Sequence, residues 1–144
     1  METPALNSVL LELHVPDFEK IKDYYRKLGF EVVWERKPEG FKGYLVIKMG
    51  GNILCFWAGN GNVYGHKYFK KFTKESKKGY AVEIVLMVED IDTYYEQVRD
   101  EVEIFEELQE KPWGLKDFRV VDPFGFYLRF TSLHNVLDSK YTVK

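Results

Sequence analysis

Cysteine is almost absent from this sequence: Cys55 is the single thiol in 144 residues. That excludes an internal disulfide and any zinc or iron–sulfur centre built from several thiolates of the chain, and it fits a reducing cytosol. Long apolar runs are lacking too, with none near the roughly 20 residues needed to cross a bilayer. Met1 to Leu6 has neither the basic region nor the apolar stretch of a secretory signal. The expectation is a cytoplasmic protein with no membrane partner. Positive charge is not in excess: 21 Lys and Arg against 23 Asp and Glu give a formal charge of −2. No global field recruits a phosphate backbone, so nucleic acid is not an expected partner.

Aromatic residues are plentiful instead, at 17% of the chain, with 45% hydrophobic and 31% charged residues in all. This mixture fills a core and still covers a solvated surface, and the length suits one compact soluble domain over residues 1–144. Val9 to Val15 alternates as a strand, and Pro16-Asp17 breaks it and caps a helix from Phe18. Phe18, Ile21, Tyr25 and Leu28 share one helical face, and Gly29 supplies the stop. Phe30 to Glu35 then reads as a strand, Pro38 to Gly43 as a turn, and Tyr44 to Met49 with Ile53 to Ala58 as a hairpin around Gly50-Gly51-Asn52.

The same order returns from Tyr80. Ala81 to Val88 is a strand, Asp90 caps a helix carrying Ile91, Tyr94 and Val98, and Val102 to Glu107 is a strand again. The match is positional: Asp17 recurs 73 residues on as Asp90, while Gly51, Leu54 and Phe56 recur 74 residues on as Gly125, Leu128 and Phe130. The chain thus reads as two β-α-β-β-β units, one over about 7–58 and one over about 80–133, in an α+β fold. The connector at 59–79 interleaves Lys67, Lys70, Lys71, Lys74, Lys77 and Lys78 with Tyr68, Phe69 and Phe72. It reads as a solvated linker with a short helix and a few anchoring aromatics, the alternative being an anion-binding arm. Residues 134–144 form a short tail or terminal helix.

Tandem βαβββ units, the Val-Pro-Asp and Val-Glu-Asp steps into each helix, Tyr24-Tyr25 with Leu28-Gly29-Phe30, and Asp122-Pro-Phe-Gly125 before the last strand together resemble the vicinal oxygen chelate superfamily. Its members include glyoxalase, ring-cleaving dioxygenases and bleomycin-resistance proteins. The stretch from Lys111-Pro-Trp-Gly114 to Asp122-Pro-Phe-Gly125 is most similar to the bleomycin-resistance branch. The resemblance implies a glyoxalase/bleomycin-resistance-like fold.

It also implies where a metal would sit in the catalytic members, on the first and last strand of each unit. Those positions here are Leu10, Cys55, Glu83 and Arg129. Leu10 has no donor atom and the Arg129 guanidinium has no lone pair, so neither holds a cation. One thiol and one carboxylate fall short of the three protein ligands of a catalytic zinc site. The expectation is therefore no metal, no cofactor and no catalytic residues. A displaced set, Glu12, His14, Cys55 and Glu83, is the alternative, since Glu12 and His14 share the Leu10 face by alternation; it would make the protein a metal-dependent lyase, isomerase or dioxygenase. The plainer reading of His14 is a strand-end histidine bonded to backbone or carboxylate. Glu83 and Arg129 are expected to form a direct ion pair.

Tyr44, Phe56, Tyr64 and Phe118 also fall on or beside the strands expected to line the clefts. Alternation places Trp57 with Cys55, and Tyr127 with Arg129, on the open faces, with Phe56 and Phe130 turned to the helices. Trp113 stands in a turn between Pro112 and Gly114. The resemblance implies stacking of a flat ligand on such rings. The expected function is non-catalytic binding of a planar aromatic or drug-like small molecule, of the antibiotic-sequestration type. The expected site is Trp57, Trp113, Tyr127, Glu83, Arg129, Cys55, Leu10, Glu12 and His14, in a homodimer.

Overall fold

The computed structural model describes residues 9–141; the start of the first expected unit and the last residues of the tail lie outside them. Eight strands and two helices follow in order: β1 Glu12–Val15, α1 Phe18–Lys27, β2 Glu31–Arg36, β3 Tyr44–Met49, β4 Asn52–Ala58, β5 Glu83–Val88, α2 Ile91–Val98, β6 Glu106–Glu110, β7 Lys116–Val121 and β8 Tyr127–Ser132. They form two four-stranded sheets of matching order, β1-β4-β3-β2 and β5-β8-β7-β6. Each is a tandem βαβββ unit of an α+β fold. In each sheet the first strand pairs parallel with the last and the others pair antiparallel.

The helix ends follow from local chemistry. Asp17 Oδ1 accepts from the Glu19 and Lys20 amides at 2.8 and 3.2 Å, relieving two orphan donors of α1. Past its end, Gly29 adopts φ +93°, and the Gly29 and Phe30 amides return to the Arg26 and Tyr25 carbonyls. This left-handed closure brings the Phe30 ring onto Tyr25, with centroids 5.4 Å apart. Phe30 is thereby spent on the cap, so β2 starts at Glu31 rather than at Phe30. Asp90 caps α2 through the Thr93 amide.

Three further strand limits differ from expectation. β1 begins at Glu12 because its ladder with β4 starts at the Glu12–Cys55 pair; Val9 and Leu10 run on unpaired and exposed. β5 begins at Glu83 because Ala81 turns left-handed at φ +65° and the Val82 amide closes onto Gly79. β6 shifts from Val102–Glu107 to Glu106–Glu110 because the Val102 amide still bonds Val98 and prolongs the α2 terminus. Val102 and Ile104 reach the core from that loop without joining a ladder.

One buried apolar cluster draws on both units: Leu45, Leu54 and Phe56 with Ile21 and Tyr25 from the first, Phe118, Leu128 and Phe130 with Ile91 and Tyr95 from the second. Polar bonds tie the halves at the same place. Tyr25 Oη donates to Asp122 Oδ2 at 2.8 Å, Tyr94 Oη to the Leu28 carbonyl at 2.6 Å, and Asn52 Nδ2 to the Met87 carbonyl at 2.8 Å. Asp122 Oδ1 accepts from the Phe124 and Phe126 amides, so the Asp-Pro-Phe-Gly turn is anchored to α1 of the other unit. Phe118, a candidate cleft aromatic, lies on this helix side, stacked on Phe130 at 5.1 Å.

Candidate functional site

Strand register converts the sequence repeat into matching positions on the two open sheet faces. Glu12 pairs with Cys55 where Val85 pairs with Arg129, Val46 faces Cys55 where Arg119 faces Arg129, and Tyr44 faces Trp57 where Asp117 faces Thr131. Side chains alternate along each strand, so these positions all turn away from the helices. The first sheet offers Glu12, His14, Tyr44, Cys55 and Trp57 there. The second offers Asp117, Arg119, Arg129 and Thr131. Two copies of one framework thus carry an aromatic face and a charged face.

On the charged face, Arg119 is the hub. It is 8% exposed, and it donates through Nε to Glu83 at 2.9 Å and through one terminal nitrogen to Glu106 at 2.8 Å and Asp117 at 3.0 Å. Lys111 also reaches Glu106, at 2.6 Å, and its bond holds the Glu106 carboxyl below the usual carboxylate range. Burial pushes the Asp117 carboxyl up, against the pull of Arg119 and Arg129. The expected Glu83–Arg129 pair is present only at 3.7 Å; the closer partner of Glu83 is Arg119, at 2.9 Å, which reaches it from β7 across the intervening strand β8. Arg129 lies over the Trp113 ring at 5.7 Å. These two residues, with Leu115, Thr131 and His134, line a cavity of about 190 Å³. Trp113 sits in a turn, closed by the Gly114 amide on the Lys111 carbonyl. Tyr127 packs edge-on against Phe105 at 5.6 Å. Asp117 and Arg119 were legible as polar residues at period two in β7, since Phe118 and Val120 between them are apolar.

On the aromatic face, His14 is boxed by rings: Trp57 at 4.2 Å and Phe69 at 4.0 Å between centroids, with His66 at 5.9 Å. His66 thus joins His14 although it shares no strand with it. The His66 Nδ1 accepts from the Tyr68 and Phe69 amides, which closes a local turn of the connector, and the ring contacts with His14 set that turn against β1. Burial lowers the His14 pKa to about 4, with His66 and Lys78 pushing the same way and Glu12 opposing. His14 is therefore neutral near pH 7. Glu12 accepts from Tyr44 Oη at 2.7 Å, and burial together with Cys55 and Glu12 pushes the Tyr44 phenol well up.

The metal positions do not fit a metal. Leu10 precedes β1 and is exposed, Cys55 is buried, Glu83 is committed to Arg119, and Arg129 is a cation. The displaced set does not converge either: Glu12 and Cys55 lie on the first sheet, whereas Glu83 is bound into the charge network of the second. Among the described residues, no three His, Cys, Asp or Glu side chains are grouped to hold a metal ion.

A larger concavity lies elsewhere. The connector, whose turns of 3-10 helix span Gly61–Gly65 and Phe69–Lys71, roofs a cavity of about 720 Å³ between β1 and β5. Leu11, Leu13 and His14 form one wall, Val82 and Ile84 the other, and Tyr64, Phe69 and Phe72 the roof. Of the sequence-derived site residues, Glu12 and His14 line this cavity, with Trp57 against His14; Trp113 and Arg129 line the small one. The connector's part was not legible, because its aromatics follow neither strand nor helix period.

The glyoxalase/bleomycin resistance protein/dioxygenase superfamily model matches residues 6–130. No curated protein sequence matches the chain. Among solved structures, a bleomycin resistance determinant encoded on the transposon Tn5 matches with a TM-score of 0.66 at 20% identity, covering 90% of this chain and 100% of that one. A bleomycin-binding protein complexed with bleomycin matches with a TM-score of 0.65 at 19% identity, over 90% and 100%. TioX from Micromonospora sp. ML1 matches with a TM-score of 0.61 at 22% identity, over 91% and 99%. At these identities the likeness is one of fold.

Proposed function

The chain belongs to the glyoxalase/bleomycin resistance protein/dioxygenase superfamily, and from that premise we propose that it is a non-catalytic binder that sequesters a planar aromatic or drug-like small molecule. The observation that carries this reading is the cavity of about 720 Å³ under the connector. Small-molecule sites occupy roughly 300–1,000 Å³, with mostly apolar walls and a few placed polar groups. Here the walls are largely aliphatic and aromatic, and the polar groups include Glu12, His14, Thr73, Ser76, Lys77 and Lys78. Binding rather than catalysis is favoured by the chemistry at the family's metal positions, where Leu10 and Arg129 supply no ligand atom.

Trp57, packed against His14, is the further ring this reading offers a flat ligand; Cys55, Glu83, Tyr127, Trp113 and Arg129 do not line that cavity. The reading also pairs two copies of the chain, since Val32, Val33 and Trp34 leave an apolar stretch exposed on the edge strand β2.

The test is calorimetric titration of anilinonaphthalene sulfonate and flat aromatic compounds. Val82, exposed at the cavity wall, is replaced by arginine to fill the space, and Val136→Arg, at an exposed position after β8, serves as control. Binding lost in Val82→Arg and kept in Val136→Arg supports the reading. Binding unaffected by Val82→Arg, or absent from the wild type across the series, contradicts it.

A further inference from the structure

The charge of the chain is unevenly placed. Residues 59–79 hold six lysines against the single carboxylate Glu75, although the whole chain carries −2. Five of those lysines are exposed and Lys78 alone is half-buried. It lines the cavity beside Lys77, and its Nζ lies 4.6 Å from the Tyr64 ring centroid. Lys74 sits over the same ring at 5.2 Å. Among the described residues no carboxylate pairs with Lys78, and burial pulls its pKa down with no anion to oppose it. A partly desolvated ammonium whose one close compensating contact is a ring face is short of a counter-charge. The carboxylate in the cavity wall, Glu12, is already engaged by Tyr44. His14, neutral near pH 7, adds no charge.

We propose that the ligand of this cavity is an aromatic anion, a carboxylate or sulfonate on a flat apolar body, with its charge on the Lys78 ammonium and its rings between β1, β5 and the connector aromatics. This rests on the binding function above and adds the ligand's charge to it. The lysines of the connector then steer the anion to the mouth, and Lys78 holds it by a charge-assisted hydrogen bond. Leu11, Val82 and Phe72 cover the ring system.

Three probes with one ring system separate the charge from the body: naphthoate, naphthylmethanol and naphthylmethylammonium, titrated by calorimetry against wild type, Lys78→Met and Val82→Arg. Methionine keeps the apolar stem of Lys78 and removes its charge, and the Lys78 backbone bond to the Phe124 carbonyl is untouched. The expected result is naphthoate bound about tenfold tighter than naphthylmethanol, with the ammonium weakest. Tenfold corresponds to about 1.4 kcal/mol. Lys78→Met abolishes the preference and leaves naphthylmethanol unchanged, while Val82→Arg weakens naphthylmethanol too. Equal binding of the three probes, or a preference that survives Lys78→Met, overturns the charge assignment and leaves the binding function standing. Absence of binding by all three overturns both.

Discussion

At the scale of single residues, His14 and Arg119 are the two side chains whose environments make the sharpest demands. His14 titrates at about 4 in the folded chain and at 6.5 unperturbed. Between those values the unfolded chain binds the extra proton, so stability is fully present above about 6.5 and is lost as pH falls towards 4. Urea midpoints measured from pH 7 to pH 4 are expected to fall over that window, and the His14→Gln variant, which has no proton to take up, to fall less. An equal slope in both proteins would remove His14 as the cause. Arg119 stands among Glu83, Glu106 and Asp117. Arg119→Met leaves buried negative charge uncompensated and is expected to cost about 3 kcal/mol in denaturant unfolding. Adding Asp117→Asn, which removes one of the charges, should recover part of that loss.

At the scale of elements, much of the architecture was readable because local chemistry and tertiary demand agree. The Asp17 and Asp90 caps, the Gly29 stop and the Gly50-Gly51 turn each satisfy a backbone requirement that neighbouring residues reveal. β6 was misplaced because Val102 and Ile104 alternate like strand residues, while the backbone there is still finishing α2. Alternation also put His14, Trp57, Tyr127 and Arg129 on the open faces. It did not reveal that the connector folds over β1, since the contacts of His66 and Phe69 with His14 join segments about 50 residues apart in sequence. The connector's fixed end supplies a test of that closure. A Cβ at Gly79 would lie 2.7 Å from the Phe126 Cα and 2.8 Å from the Gly125 carbonyl oxygen. Gly79→Ala is therefore expected to lower the melting temperature and cost about 1–3 kcal/mol through backbone displacement. At Gly61, where a Cβ meets open space, alanine should change stability by less than about 0.5 kcal/mol. Comparable losses at both sites would deny the connector its fixed seat.

At the scale of the whole molecule, two equivalent units joined through Tyr25 and Asp122 have diverged in what they present. The first shows rings and the second a compensated charge network, and the cavity forms where their first strands face each other beneath the connector. No described helix is long and apolar enough to cross a membrane. The exposed Val32, Val33 and Trp34 of β2 predict that two copies associate. Sedimentation of the wild type should give twice the 17.1 kDa chain mass, and Val33→Arg should shift it towards one; a monomeric wild type would refute the pairing. In the proposed complex a flat small molecule lodges between β1, β5 and the connector. A crystal structure of the protein with anilinonaphthalene sulfonate decides whether it does. Ligand density beside His14, Phe69 and Val82 is the predicted result, and density on the Trp113–Arg129 face with that cavity empty would contradict it.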